Sequence, residues 1–254
     1  MDIPIIFWLF IFLGGMASGF IDSIAGGGGL ISLPVLLAVG FPPHLAIGTN
    51  KLQSVFGSGM AALRYTGKKL VVWQKIWPGV LTSLFASVLG AWTLTRIEAA
   101  ALEMALPFIL LALWCYVAFK KNLGNQRGQA RMRDGLFYPA AGSLFGFYDG
   151  FLGPGTGSFW TISQVSLIGM DLKQATAASK PPNFASNIGS LIFFLIAGKA
   201  VLAAGLTMAA GQLIGSWLGS YLVIQHQPRF IRPFFLAVVA AIVIKLMGEN
   251  FGLF

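Results

Sequence analysis

Four ionisable residues stand inside otherwise apolar stretches of this chain: Asp22, Lys51, Asp149 and Lys180. At the centre of a membrane helix a charge costs at least about 2.5–3.5 kcal/mol on insertion scales, so each of the four needs a partner or a task. Lysine offers a cation to an oxyanion; aspartate offers a counter-charge or a place for a proton. The residues just after each aspartate sharpen the chemistry. Asp22 precedes Gly26-Gly27-Gly28-Gly29, and Asp149 precedes Gly153-Pro154-Gly155-Thr156-Gly157, each cluster leading into a short apolar run. A short helix starting there presents unpaired N–H groups and a positive dipole end, and glycine lets a ligand approach the backbone. The expected substrate-binding set is therefore Lys51, Lys180, Asn50, Gly27, Gly28, Gly29, Gly155, Gly157, Ser158, Ser179 and Asn183, with Thr49, Gln53, Ser54 and Asn187 as further donors nearby. Asp22 and Asp149 are expected either to neutralise the lysines in the empty site or to take up a proton and couple transport to it; Na⁺ ligation ranks below these. A plainer reading pairs Asp22 with Lys51 and Asp149 with Lys180 in buried salt bridges that brace the broken helices, since breaking such a pair costs about 3–5 kcal/mol.

Other chemistry is thinly represented. Cys115 is the single cysteine and sits in an apolar run, which excludes a disulfide framework and a thiolate metal cluster. His44 follows Pro42-Pro43 and His226 lies before Pro228, too far apart in sequence to suggest a metal pair. No phosphate-binding loop, catalytic triad or zinc motif occurs, so no catalytic residue, cofactor or metal is expected, and an ATP-driven pump would need a separate ATPase chain.

The elements that must carry these residues are set by composition. Of 254 residues, 56% are hydrophobic and 10% charged, against roughly 45–50% and about 25% in an ordinary soluble domain. With a mean hydropathy of +0.78, the chain reads as an all-α polytopic membrane protein whose main partner is the lipid bilayer. The net charge of +9 is then a matter of loop topology and not of nucleic acid. The N-terminus has Asp2 and no Lys or Arg where a signal peptide carries its basic stretch, so it reads as a mature helix.

About 20 helical residues span a bilayer. Eight apolar segments approach or exceed that length: 3–22, 44–65, 73–95, 100–119, 135–150, 174–197, 200–224 and 230–248. Two shorter ones, 30–41 and 157–170, each come after a glycine cluster and read as half-helices or re-entrant segments, which are tolerated only where they line a cavity or are buried in protein. The residues repeat in order. Gly19-Phe20-Ile21-Asp22 matches Gly146-Phe147-Tyr148-Asp149, Asn50-Lys51 falls on Ser179-Lys180, Gly67-Lys68 on Gly198-Lys199, and Leu89-Gly90-Ala91-Trp92 on Leu218-Gly219-Ser220-Tyr221. Residues 1–122 and 135–254 are thus expected to be two repeats, each of about four transmembrane helices and one short segment, joined by a basic cytoplasmic linker, 123–134. Basic clusters at Arg64–Lys75 and Lys120–Arg133 should face the cytoplasm. The shortness of the two broken segments favours parallel halves over inverted ones. Gly211, Gly215 and Gly219, four apart, should let α-helices approach closely.

The stretch Gly19-Phe20-Ile21-Asp22-Ser23-Ile24-Ala25-Gly26-Gly27-Gly28-Gly29, the adjoining Leu30-Ile31-Ser32-Leu33-Pro34, and Gly48-Thr49-Asn50-Lys51 resemble the first repeat of the TauE/SafE sulfite exporter family; Gly146 to Phe159 is similar to its second motif. The resemblance covers nearly the whole chain. It implies a bacterial-type inner-membrane, multi-pass carrier for sulfite, sulfoacetate or another organosulfonate. The symmetric glycine, aspartate and lysine set points to alternating access at one midplane site, with a homodimer as a possible assembly. A small-anion channel, or a membrane assembly subunit without transport, are the alternatives. The second motif has Ser179-Lys180-Pro181-Pro182-Asn183 where the first has Asn50-Lys51-Leu52-Gln53-Ser54, so the site is not a strict two-fold copy.

Overall fold

A computed structural model describes residues 5–119 and 128–225. Every regular element among them is a helix: α1 (Ile5–Ala25), α2 (Gly29–Ala38), α3 (Pro43–Gly67), α4 (Trp73–Leu94), α5 (Ala99–Phe119), α6 (Asp134–Phe151), α7 (Thr156–Ser163), which continues as a π-helical turn over Gln164–Ile168, α8 (Leu172–Ile196) and α9 (Leu202–Gln225). The boundaries fall where local chemistry sets them. Pro43 occupies the first turn of α3, where its missing N–H costs nothing. Asp171 caps α8 by accepting from the Gln174 N–H at 2.9 Å. The two short segments appear as α2 and as α7 with its π turn, each after its glycine cluster. The apolar segment 230–248 and residues 123–127 of the linker lie outside the described residues.

Polarity is distributed in reverse of a water-soluble domain. Leu81, Phe85, Leu89 and Trp92 lie exposed along one side of α4, while Lys51, Lys180, Asn50, Gln53, Ser186 and Gln212 are buried. Among the described residues, two helices, Ile5–Ala25 and Trp73–Leu94, are long and apolar enough to cross a membrane by length and composition. Helices α3 and α8 are as long, but they carry the buried polar residues of the centre, which dilutes their hydropathy.

Glycine contacts fix the helix directions. Gly15 and Gly19 of α1 pack on Met208 and Gln212 of α9, and Gly215 and Gly219 pack back on Met16 and Phe20, so α1 and α9 run parallel at close range, as the four-residue glycine spacing suggests. Gly142, Gly146 and Gly150 of α6 pack in the same way on Gly79, Ser83 and Ser87 of α4. Helices α3 and α8 run in opposite directions, because Gly48 abuts Phe194 and Lys199 while Gly59 abuts Phe184.

The bundle therefore has two distinct ends. At one, Lys75 pairs with Asp134 at 2.6 Å, and the N–H groups of Arg131 and Met132 donate to the Leu167 carbonyl at the close of the π turn. At the other, His44 Nε2 lies 3.0 Å from the Ile97 carbonyl, and the Val201 N–H donates to Thr49 Oγ1 at 2.9 Å. Helix α1 starts at this second end, and α2 doubles back along it, with Gly14 against Val35. Helix α6 starts at the first end, and α7 with its π turn doubles back there. Parallel halves would require α3 and α8 to point the same way, and they do not. The cause is parity: the α1–α2 hairpin makes no net passage, which leaves an odd number, α3, α4 and α5, before the linker.

Candidate functional site

The two glycine breaks touch. Positive φ at Gly26 (73°), Gly153 (98°) and Gly155 (85°) turns the chain sharply after α1 and α6, a conformation that suits glycine. The Ser158 N–H donates to the Gly26 carbonyl at 3.1 Å, and Ser158 Oγ donates to the Ala25 carbonyl at 2.6 Å. A methyl group on Gly26 would overlap the backbone of Gly157 and Ser158, and one on Gly29 would press on Pro154. The starts of α2 and α7 thus meet backbone to backbone in the middle of the bundle.

The four charges close this junction in a cross-wise pattern. Lys51 Nζ donates to Asp149 Oδ1 at 2.8 Å, and Lys180 Nζ lies 3.2 Å from Asp22 Oδ2 while also donating to the Asp22 carbonyl. Each lysine of one half is held by the aspartate of the other, so the same-half pairing of Asp22 with Lys51 and Asp149 with Lys180 is wrong. The crossing results from the opposed directions of α3 and α8. These place Lys51 beside the break after α6, and Lys180 beside the break after α1. The environments also differ. Asp149 accepts from Thr156 Oγ1 at 3.1 Å and from Ser186 Oγ as well as from Lys51. Asp22 has the Gly28 N–H at 3.4 Å besides Lys180.

A narrow, partly open cavity lies at the junction, lined by Asp22, Gly26, Gly29, Asn50, Lys51, Ser54, Asp149, Gly153, Gly155, Gly157, Asn183 and Asn187. Both breaks and both long broken-region helices contribute to its wall. Of the residues expected to bind, Lys51, Asn50, Gly29, Gly155, Gly157 and Asn183 line it. Lys180, Gly27, Gly28, Ser158 and Ser179 do not. Their polar groups are engaged elsewhere: Lys180 on Asp22, Ser158 on Ala25, Ser179 on the Thr176 carbonyl at 2.8 Å, and the Gly28 carbonyl on the hydroxyls of Ser18 and Ser32. The carbonyl of Gly27 receives the Leu30 N–H at 3.0 Å. Sequence reasoning left Gly26 and Gly153 out of the binding set, although both stand in the glycine clusters. Ser186 went unnoticed altogether, since one more serine on a helix carries no signal until the opposite half brings Asp149 to it.

On the first half's side of the cavity, Ser32 Oγ donates to Asn50 Oδ1 at 2.5 Å, and Gln53 Nε2 donates to the same oxygen at 2.8 Å and to Ser54 Oγ at 2.8 Å. On the second half's side, Asn187 Nδ2 donates to the Asn183 carbonyl at 2.8 Å. These bonds hold amide and hydroxyl groups in fixed positions around the Lys51 ammonium. A small anion entering the cavity would meet one cation, the Lys51 ammonium, and several neutral dipoles, with the carboxylates of Asp149 and Asp22 in the same wall.

Comparison with known proteins finds relatives described as membrane transporters. The chain is 40% identical over 240 residues to "Probable membrane transporter protein ORF9" of Sinorhizobium sp, covering 94% of this chain and 92% of that protein. It is 40% identical over 233 residues to "Probable membrane transporter protein" of Haemophilus influenzae, covering 92% and 91%. It is 38% identical over 242 residues to "Probable membrane transporter protein YfcA" of Escherichia coli K12, covering 95% and 90%. No solved structure matches it. These relatives mark a membrane protein with the character of a transporter and not of an enzyme. Residues 11–246 match the family described as Sulfite exporter TauE/SafE, and the chain belongs to that family.

Proposed function

We propose that this protein is a secondary transporter that moves a small sulfur-containing oxyanion, such as sulfite, sulfoacetate or another organosulfonate, across the bacterial inner membrane. The observation that carries the reading is the central cavity, with Lys51 in its wall and both glycine breaks around it. Broken helices meeting at one site between two halves are the arrangement from which alternating access is built. The family description supports the substrate class.

The reading includes an architecture. Residues 1–122 and 135–254 are two multi-pass repeats, and the order long, short, long, long in α1–α4 recurs in α6–α9. The opposed directions of α3 and α8 support an inverted arrangement of these repeats. The end carrying Arg64, Lys68, Lys69, Lys75, Arg131, Arg133 and Lys173 is cytoplasmic. The anion binds where the two breaks meet, and the repeats rock about it to expose it to either side.

Flux of radiolabelled sulfite and sulfoacetate into liposomes containing the purified protein tests the function. The expected result is saturable uptake with counterflow, falling about tenfold or more in Lys51→Ala through loss of a charge-assisted hydrogen bond. Undiminished uptake by Lys51→Ala would overturn the site.

A further inference from the structure

This inference rests on the oxyanion reading above and separates the two lysines that the sequence treats alike. We propose that Lys51 alone is the anion-binding cation and that Asp149 is its exchangeable counter-ion, whereas Lys180 and Asp22 form a permanent tie between the halves.

Three observations carry it. First, Lys51 and Asp149 both line the cavity, and Lys180 does not. Asp22 lines it too, so an anion in the cavity meets the Lys51 ammonium in the wall, whereas the Lys180 ammonium lies behind Asp22, which the anion would have to displace. Second, Asp149 has its own reserve of donors. Thr156 Oγ1 reaches Oδ1 at 3.1 Å and Ser186 Oγ reaches Oδ2. When an arriving oxyanion takes over the Lys51 ammonium, the carboxylate keeps two hydroxyl hydrogen bonds and is not stranded bare in a buried site. Third, among the described residues Asp22 lacks such a reserve. Besides Lys180 it holds one N–H at 3.4 Å, and the Lys180 ammonium bonds to both the carboxylate and the carbonyl of that one residue. Removing Lys180 from Asp22 would leave an uncompensated charge, which is costly. The easy exchange is at Lys51 and the difficult one at Lys180.

Substrate and Asp149 then compete for a single cation, and competition has a distinctive consequence. Deleting the competitor's charge should strengthen anion binding instead of weakening it. The test is anion binding to purified protein, read by calorimetry and by thermal stabilisation, with sulfite, sulfate, methanesulfonate and chloride as probes. Asp149→Asn is expected to bind these anions about tenfold more tightly than the unaltered protein, and adding Lys51→Met abolishes the gain. Asp22→Asn produces no such tightening. Equal tightening by Asp22→Asn overturns the distinction between the lysines, and no tightening by Asp149→Asn overturns the exchange.

Thr156→Val and Ser186→Ala keep the test decisive if Asp149→Asn is not recovered folded. Each removes one reserve donor, so Asp149 holds Lys51 harder and anion affinity falls about three- to tenfold; unchanged affinity in both overturns the proposal. The outcome is distinguishable from failure of the transport reading. Protein that carries no sulfur oxyanion, but gains Lys51-dependent chloride binding in Asp149→Asn, refutes the substrate and keeps the exchange. Protein that carries sulfite, but gains nothing in Asp149→Asn, does the reverse.

Discussion

Lys180 is fully buried, and among the described residues both hydrogen bonds of its ammonium go to a single residue, Asp22, which belongs to the other half of the chain. A charge in that position is tolerable only as half of a pair. Truncation to Lys180→Ala leaves the Asp22 carboxylate with one long N–H donor, so the expected loss is about 3–5 kcal/mol, seen as a large fall in the thermal midpoint of the detergent-solubilised protein. Removing both charges together, in Asp22→Asn with Lys180→Met, should recover a substantial part of that loss, because a neutral pair needs no compensation. A double variant as unstable as Lys180→Ala would mean that the tie contributes something other than charge neutralisation. The same reasoning predicts a milder effect at Asp149, whose two hydroxyl donors remain if Lys51 is removed.

At the scale of the elements, the decisive contact is between Gly26 and Gly157. Gly26 combines a φ of 73° with a position where a Cβ would run into the backbone of Gly157 and Ser158. Backbone cannot step aside as a flexible side chain can, so Gly26→Ala should cost about 3 kcal/mol, from the left-handed conformation and the overlap together. Gly67, at the end of α3, has nothing within 4 Å of where a Cβ would lie, and Gly67→Ala should change stability by about 0.5 kcal/mol or less. Chemical or thermal unfolding of the two variants side by side checks the contrast; equal effects would mean the junction is looser than its contacts imply. Much of this level was legible in the sequence. The apolar periods located α1, α3, α4, α5, α6, α8 and α9 to within a few residues, and the glycine clusters marked α2 and α7, because local composition decides whether a segment forms a helix and where it must stop. What could not be read was which lysine meets which aspartate. Lys51 and Asp149 are 98 residues apart, and their pairing depends on the relative direction of α3 and α8, a property of the path between them and of no residue in it.

For the whole molecule, that direction turns on one feature: whether α1 and its short successor make a net passage. The packing of Gly48 against Phe194 and Lys199 sets it. Inverted halves put Lys68, at the α3–α4 turn, and Lys199, in the α8–α9 connection, at opposite ends of the bundle; parallel halves put them at the same end. Both side chains are exposed. With Cys115→Ser as background, Lys68→Cys and Lys199→Cys can be labelled in intact cells by a maleimide that does not cross membranes. Lys199→Cys should react from outside, and Lys68→Cys only after the membrane is permeabilised, as the concentration of basic residues at its end requires. Labelling of both from the same side would contradict the opposed α3 and α8, and with them the cross-wise pairing at the centre. The cavity depends on the same geometry. Two breaks entering from opposite ends can meet in the middle and share one cation, whereas two breaks entering from the same end would lie side by side, each with the lysine of its own half.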